Sequence, residues 1–274
     1  MASRSVDAQH HVIQGLGLRF EGFGIMVAIE LRRWLDRLLP AVCVVCGDPL
    51  AEGEGRACEV CWARAPVQRY PRCSRCGIAL ADVGTPALGS ACTDCQDWLP
   101  YLREARSPCA MSGTAAAIVH ALKYGGWRQL AEEMAERMAA IRFSPGVEAE
   151  ISGVVAVPLS AARLRERGFN QSELLARGLA QLRSWPLLQN RLQRVRDTRR
   201  QARLSMNERA PNVAGAFAAY PTGGGVEDAH LLLVDDVLTT GHTAAECVRA
   251  LCLAGARAVS VIAFARARPD LMGG

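Results

Sequence analysis

Residues 231–243, LLLVDDVLTTGHT, constrain the fold of this chain more than any other stretch. Leu231, Leu232, Leu233 and Val234 show no polar alternation, so a strand built from them needs apolar cover on both faces, as inside a parallel sheet. Asp235 and Asp236 follow at the C-terminal edge of that strand. Val237, Leu238, Thr239, Thr240, Gly241, His242 and Thr243 then lead into a helical pattern that runs to residue 253. The first N–H groups of a helix have no intrahelical acceptor, and with the helix dipole they attract a phosphate. Threonine hydroxyls add donors, and a glycine lets the backbone turn closely around the anion. The carboxylates would repel a phosphate; they suit sugar hydroxyls or a magnesium ion beside it. A strand ending in paired acids also occurs in P-loop ATPases. Their phosphate loop needs a Gly-Lys-Ser/Thr sequence, and the single lysine here, Lys123, is followed by Tyr124. The plain alternative is a strand, turn and helix with no ligand.

The stretch resembles the signature of the type I phosphoribosyltransferases, which bind 5-phosphoribosyl-1-pyrophosphate (PRPP). The resemblance implies that Asp235 and Asp236 hold the ribose hydroxyls, that the loop from Leu238 to Thr243 wraps the 5-phosphate, and that Mg2+ accompanies PRPP.

Eleven cysteines define the other constraint. Eight form four C-x2-C pairs: Cys43 and Cys46, Cys58 and Cys61, Cys73 and Cys76, Cys92 and Cys95. Each pair can place two thiolates on one metal at a tight knuckle, so eight ligands make two closed Zn2+ sites, structural because no position is left for water. Sequential pairing is favoured, one zinc on the first four cysteines and one on the second four; interleaved pairing satisfies the same chemistry. Cys109, Cys247 and Cys252 stand alone and read as small buried residues. The opening residues do not form a signal peptide, since the apolar run at 24–29 is short and Glu30 interrupts the stretch. Reduced thiols and a cytoplasmic location are therefore expected. No run of about 18 apolar residues is present, so no transmembrane segment is expected.

The remaining organisation follows from composition and period. Residues 1–25 read as a disordered extension, with Met26 a second candidate start, and residues 26–40 as an amphipathic helix ended by Pro40. A double ribbon is expected over 41–100 and an α/β domain over 101–270. Within it, helices are expected near 113–122, 127–141 and 169–182, and strands near 154–157, 213–217 and 258–264. Tyr124 and Trp127 could stack on a base, although core packing is the plainer reading. The net charge of +5 is unevenly placed: residues 161–209 carry twelve arginines against four acids, so the rest of the chain is net acidic. A basic field of this kind faces an anion. Arg163, Arg165 and Arg167 lie just past the strand at 154–157, where open α/β sheets bind ligands. The segment 191–209 reads either as a solvated surface or as a flap that closes over an anionic ligand.

Cysteine-pair ribbons, LKYGG, VPLSAARLRERGFNQSELLA, an R-x-R-x-T-x-x-Q-x-x-L segment (Arg194, Arg196, Thr198, Gln201, Leu204), NVAGAF and LLLVDDVLTTGHT occur in this order. In that combination the chain resembles the ComF family of competence and DNA-uptake proteins, over nearly everything from about residue 26 to 266. The resemblance implies an α/β fold with a type I phosphoribosyltransferase-like parallel-sheet core and a small N-terminal zinc-ribbon domain. It implies a PRPP site with Asp235, Asp236 and Arg196 as catalytic residues, the pyrophosphate loop at Pro158, Leu159, Ser160, Arg163 and Arg167, and Lys123 reaching a phosphate. Partners implied are PRPP, single-stranded DNA bound through Arg191, Arg194, Arg199, Arg200 and Arg203, and the DNA-uptake helicase machinery. The favoured expectation is a cytoplasmic accessory of DNA uptake; the alternative is an active phosphoribosyltransferase using an unidentified nucleobase or amine acceptor. A PRPP-sensing regulator would need a DNA-reading element such as a helix-turn-helix, and none is evident.

Overall fold

A computed structural model of the chain describes residues 41–80, 92–198, 211–220 and 224–267. The extension expected over 1–25, the helix expected over 26–40, and Arg199, Arg200 and Arg203 lie outside the described residues.

The element order is α1 (Glu59–Ala63), β1 (Leu102–Arg106), β2 (Cys109–Ala110), α2 (Gly113–Tyr124), α3 (Leu130–Ala139), α4 (Pro145–Glu150), β3 (Ile151–Ala156), α5 (Ala161–Arg167), α6 (Gln171–Arg183), β4 (Leu192–Arg194), β5 (Phe217–Ala219), β6 (His230–Leu238), α7 (His242–Leu253) and β7 (Ala258–Arg266). Five of the strands form one parallel sheet in the order β1-β7-β6-β3, with β2 continuing beside β7. A separate antiparallel pair joins β4 to β5. Among the described residues no helix is long and apolar enough to cross a membrane. The fold is thus a mixed α/β architecture with a mainly parallel sheet, preceded by cysteine clusters.

The continuous apolar runs explain the layering. Leu232 and Val234 of β6, with Ile262 and Phe264 of β7, belong to one buried cluster that takes in residues of α2, α3 and α6. Leu231 and Leu233, with Val259, Val261 and Ala263, belong to a second cluster that takes in α7. Successive side chains of a strand leave on opposite faces, so a run without alternation is stable only between two apolar layers. Every position of β7 is buried.

Several expected boundaries move. The helix expected near 113–122 is preceded by two short strands, β1 and β2, and as α2 it continues through Lys123 to Tyr124. The strand expected over 213–217 begins only at Phe217, because residues 211–213 are helical. The basic segment after Arg191 is not wholly without burial: Leu192 packs into the cluster beneath α7 as part of β4.

One carboxylate ties the first ribbon to the α/β body at two points. Glu133 of α3 accepts hydrogen bonds from the Arg56 backbone N–H and from Trp62 Nε1, each at 2.8 Å. Trp62 itself meets Phe264 of β7 edge-on at 6.1 Å, and the Arg137 guanidinium lies 3.6 Å from the Trp62 ring centroid. Hydrogen bonds to a charged acceptor contribute about 1.5–3 kcal/mol. Glu133→Ala is therefore expected to lower stability by roughly 2 kcal/mol in chemical denaturation; an unchanged midpoint would show that the ribbon does not depend on these two bonds.

Candidate functional site

Backbone geometry brings the sequence-marked residues to the C-terminal end of the sheet. A cleft of about 290 Å³ opens there, lined by the ends of β3 and β6, by α5, by the starts of α6 and α7, by the end of α2, and by Arg194. Of the expected site residues, Lys123, Pro158, Leu159, Arg163, Arg167, Asp235, Asp236, Val237, Leu238, Thr239, Gly241 and Thr243 line it. β6 runs on through Leu238, so the two acids sit within the strand rather than beyond its end.

The acids meet different partners. Asp235 accepts from Ser172 Oγ at 2.9 Å, while Asp236 pairs with Lys123 Nζ at 2.7 Å. Ser172 is aimed by its own cap: Asn170 accepts from the Ser172 N–H at 3.1 Å and donates through Nδ2 to the Val157 carbonyl, which ties the start of α6 to the end of β3. Burial pushes the Asp235 carboxyl up to about 7, with the Asp236 charge adding to the rise and Lys123 and the Ser172 bond opposing it. Burial also lowers the pKa of Arg194, with the positive charge of Arg163 acting in the same direction. The cleft thus sets the guanidinium groups of Arg163 and Arg194 beside two carboxylates.

Gly241 opens α7 at φ +86°, a left-handed conformation that favours glycine. With Thr243 and Ala244 it presents the first turn of that helix to the cleft. Thr240 Oγ1 and His242 Nδ1 contact each other at 2.8 Å, and neither residue lines the cleft. Ser160 is likewise outside it, buried as the N-cap of α5, where its hydroxyl accepts from the Arg163 N–H.

Two placements differ from the sequence reading. Arg196 does not reach the cleft: it is exposed and donates to the carbonyls of Asn212 and Ala214 at 3.2 and 2.7 Å. Arg194, expected on the nucleic-acid surface, lines the cleft, its guanidinium 5.2 Å from the Phe217 ring centroid and bonded to Thr198. Arg191 is half-buried beside it in sequence, and its carbonyl accepts from the Tyr220 N–H. Tyr124 and Trp127 are not core residues, being 57% and 39% exposed; Tyr124 stands at the cleft with Arg167 5.5 Å from its ring centroid. Ser172 and Gln171 were missed, and their only signal was the helix-capping pattern FNQSE after the basic loop.

A serine–histidine–acid arrangement elsewhere is structural. His230 Nε2 lies 3.0 Å from Ser260 Oγ and Nδ1 lies 3.3 Å from Glu150, but Ser260 and His230 are 0% and 1% exposed. No substrate can reach that hydroxyl.

The cysteines fall into two groups, Cys43, Cys46, Cys58 and Cys61, and Cys73, Cys76, Cys92 and Cys95, the sulfurs of each lying within 4.8 Å of one another. This is the sequential pairing. A tetrahedron of Zn–S bonds of about 2.3 Å has sulfur–sulfur edges of about 3.8 Å. The observed separations include 3.7 Å (Cys43 to Cys61), 3.8 Å (Cys46 to Cys58), 3.7 Å (Cys73 to Cys95) and 3.4 Å (Cys76 to Cys92). They are far from the disulfide bond length of about 2.05 Å. Four sulfurs at these separations in each group fit two structural zinc ions.

Fold and site together define a class: a parallel-sheet α/β protein whose strand ends carry a cleft lined by acids and cations, built onto two four-cysteine metal knuckles. Residues 34–96 match the family model described as a double zinc ribbon domain. The DNA utilization protein YhgH of Salmonella typhimurium is 33% identical over 232 residues, covering 83% of this chain and 98% of that protein. Its counterpart in Escherichia coli K12 is 29% identical over the same length, and competence protein F of Haemophilus influenzae is 35% identical over 114 residues, 42% of this chain and 50% of that protein. The chain belongs to the ComF family.

Metal analysis is expected to give two zinc ions per chain, falling to one in Cys76→Ser; a variant that keeps both would displace that ligand set. Asp235 gives a pH signature. The folded protein holds a proton there that the unfolded chain has released above its ordinary 3.8, so this contribution to stability falls as pH rises from about 4 through about 7. Asp235→Asn is expected to melt a few degrees above the wild type at pH 8 and to lose that advantage near pH 4; a gap that does not change with pH would remove the buried carboxyl from the account.

Proposed function

We propose that this protein binds magnesium-PRPP in the cleft at the end of β6 and serves as a cytoplasmic accessory of DNA uptake that handles single-stranded DNA. The observation that carries the ligand reading is the coincidence, in one cleft, of two adjacent acids, a threonine–glycine helix start and four cationic side chains, Lys123, Arg163, Arg167 and Arg194. Each part has a use for one end of that ligand. Asp235 and Asp236 accept the ribose hydroxyls. Backbone N–H groups and hydroxyls of the 239–243 loop hold the 5-phosphate, with the positive end of the α7 dipole behind them. Arg163 and Arg167 face the pyrophosphate, and Lys123, now on Asp236, can exchange that partner for a phosphate oxygen because its ammonium sits on a flexible stem. Mg2+ would supply charge neutralisation for the pyrophosphate. Arg194, which lines the cleft, takes in this reading the role that the resemblance implied for Arg196.

The DNA reading rests on relatives named for DNA utilization and competence, and on the arginine-rich segment, with Arg191, Arg199, Arg200 and Arg203 as the proposed contacts. A charged groove with interleaved aromatic rings suits a single strand. A second reading is favoured by Tyr124, whose exposed ring stands at the cleft: an active phosphoribosyltransferase could lay a planar nucleobase acceptor against it. In that case the arginines would stabilise negative charge on the departing pyrophosphate and the carboxylates positive charge on the ribose.

Isothermal titration with PRPP and magnesium, followed by a pyrophosphate-release assay with and without single-stranded DNA and candidate bases, separates these readings. Binding without release supports the accessory, and release supports the enzyme. The double variant Asp235→Asn, Asp236→Asn is expected to bind PRPP at least about tenfold more weakly while remaining folded; equal affinity would sink the site. Affinity for single-stranded DNA is expected to fall steeply with salt, and Arg199→Ala, Arg200→Ala and Arg203→Ala together to flatten that slope by about two units. A slope that stays put would place the DNA elsewhere.

A further inference from the structure

The second ribbon touches the phosphate loop. Trp98, three residues past Cys95, packs against both the cysteine cluster of that ribbon and the apolar cluster beneath α7. Its indole edge lies on Gly241: a Cβ at position 241 would come within 3.1 Å of Trp98 Nε1 and Cζ2. Thus Gly241 is held between the cleft it lines and the indole.

The indole is fixed from its other sides. Arg266, at the end of β7 and 2% exposed, places its guanidinium 5.7 Å from the Trp98 ring centroid and bonds to Asp94 at 3.2 Å. Asp94 lies between the two metal ligands Cys92 and Cys95. Among the described residues the Nε and Nη1 groups of Arg266 meet no hydrogen-bond partner, so there this buried cation is answered by Asp94 and the ring face. Arg75, between Cys73 and Cys76, donates to the carbonyls of Cys95, Trp98, Leu99 and Leu102 at 2.7–3.2 Å. The Arg75 carbonyl in turn accepts from the Ala105 N–H of β1 at 2.7 Å. Gly77 packs so closely that a Cβ there would meet the Ala105 carbonyl at 2.8 Å. The segment from knuckle to β1 therefore has no slack.

We propose that Trp98 is a positioning residue for the phosphate loop, and that through it zinc in the second knuckle and a phosphate-bearing ligand in the cleft strengthen each other's binding. The proposal rests on the ligand reading above. Zinc on Cys92 and Cys95 fixes Asp94 and Trp98; Trp98 fixes Gly241; and a loop already ordered gives up less conformational freedom when it closes on a phosphate. Linkage makes the effect reciprocal: whatever factor zinc adds to ligand affinity, the ligand adds to zinc affinity at that knuckle. The first knuckle, anchored through Glu133 and Trp62, has no contact of this kind with the loop among the described residues.

The test uses the full zinc-loaded chain, its Trp98→Ala variant and its Trp98→Phe variant. Each is titrated with magnesium-PRPP, analysed for zinc, and exposed to a chelator with and without PRPP. All three are expected to carry two zinc ions. PRPP affinity should fall about tenfold in Trp98→Ala and return in part in Trp98→Phe, which keeps an aromatic ring beside Gly241. PRPP should slow the release of one of the two zinc ions from the wild type and leave release from Trp98→Ala unchanged, a readout that mere destabilisation does not produce. Equal PRPP affinity in wild type and Trp98→Ala, or zinc release that ignores PRPP in the wild type, overturns the coupling while leaving the ligand site standing. If the wild type does not bind PRPP, the ligand reading and this coupling fall together. Should Trp98→Ala not fold, the wild-type release comparison decides alone.

Discussion

The burial of β6 between two apolar layers is the constraint on which the other features depend. Its backbone is paired in parallel on both sides, with β3 and with β7, and the four leucine and valine side chains before its acids are divided between two clusters. A strand so enclosed cannot shift register by one residue without exchanging the contents of both layers. That rigidity carries two carboxylates to a fixed depth, where water does not fully solvate them. Lys123 and Ser172 answer their charge only in part, and the rise of Asp235 to about 7 is the physical trace of the remainder.

The ribbons solve a different problem. A segment of about sixty residues is too short to order itself by burial alone, so thiolate–metal bonds take that role. Each knuckle is then joined to the sheet by a polar residue inserted among apolar ones: Glu133 under Trp62 for the first, Arg75 and Arg266 around Trp98 for the second. Because the second junction ends on Gly241, a part of the chain that reads as a separate small domain contributes to the geometry of the cleft.

Charge placement was the least legible feature. Arg194 and Arg196 are two apart, the spacing that puts strand residues on one face, yet only Arg194 enters the cleft. The antiparallel ladder with β5 ends at the Arg194–Phe217 pair; beyond it the chain turns, and Arg196 is drawn to the carbonyls of Asn212 and Ala214. Those acceptors lie sixteen and eighteen residues away in sequence, so no local pattern announces them. Tyr124 was misread for a related reason: its apolar ring suggested the core, but α2 ends there and leaves the ring at the cleft instead of beneath the helix.

The sequence by itself determined the features set by local chemistry. Four leucine and valine residues before two acids require a doubly covered strand, a glycine must open the following helix, and eight cysteines in C-x2-C pairs require metal. These follow from valence, from steric limits on φ and from the cost of exposing apolar surface, all of which act on near neighbours. The tertiary structure alone decided which cysteines share an ion, that Ser172 and Lys123 rather than each other's neighbours receive the two acids, and that Trp98 closes on Gly241. Such choices depend on how separate elements dock, where a side chain's partner is selected by distance in space and by the charge left unanswered after burial.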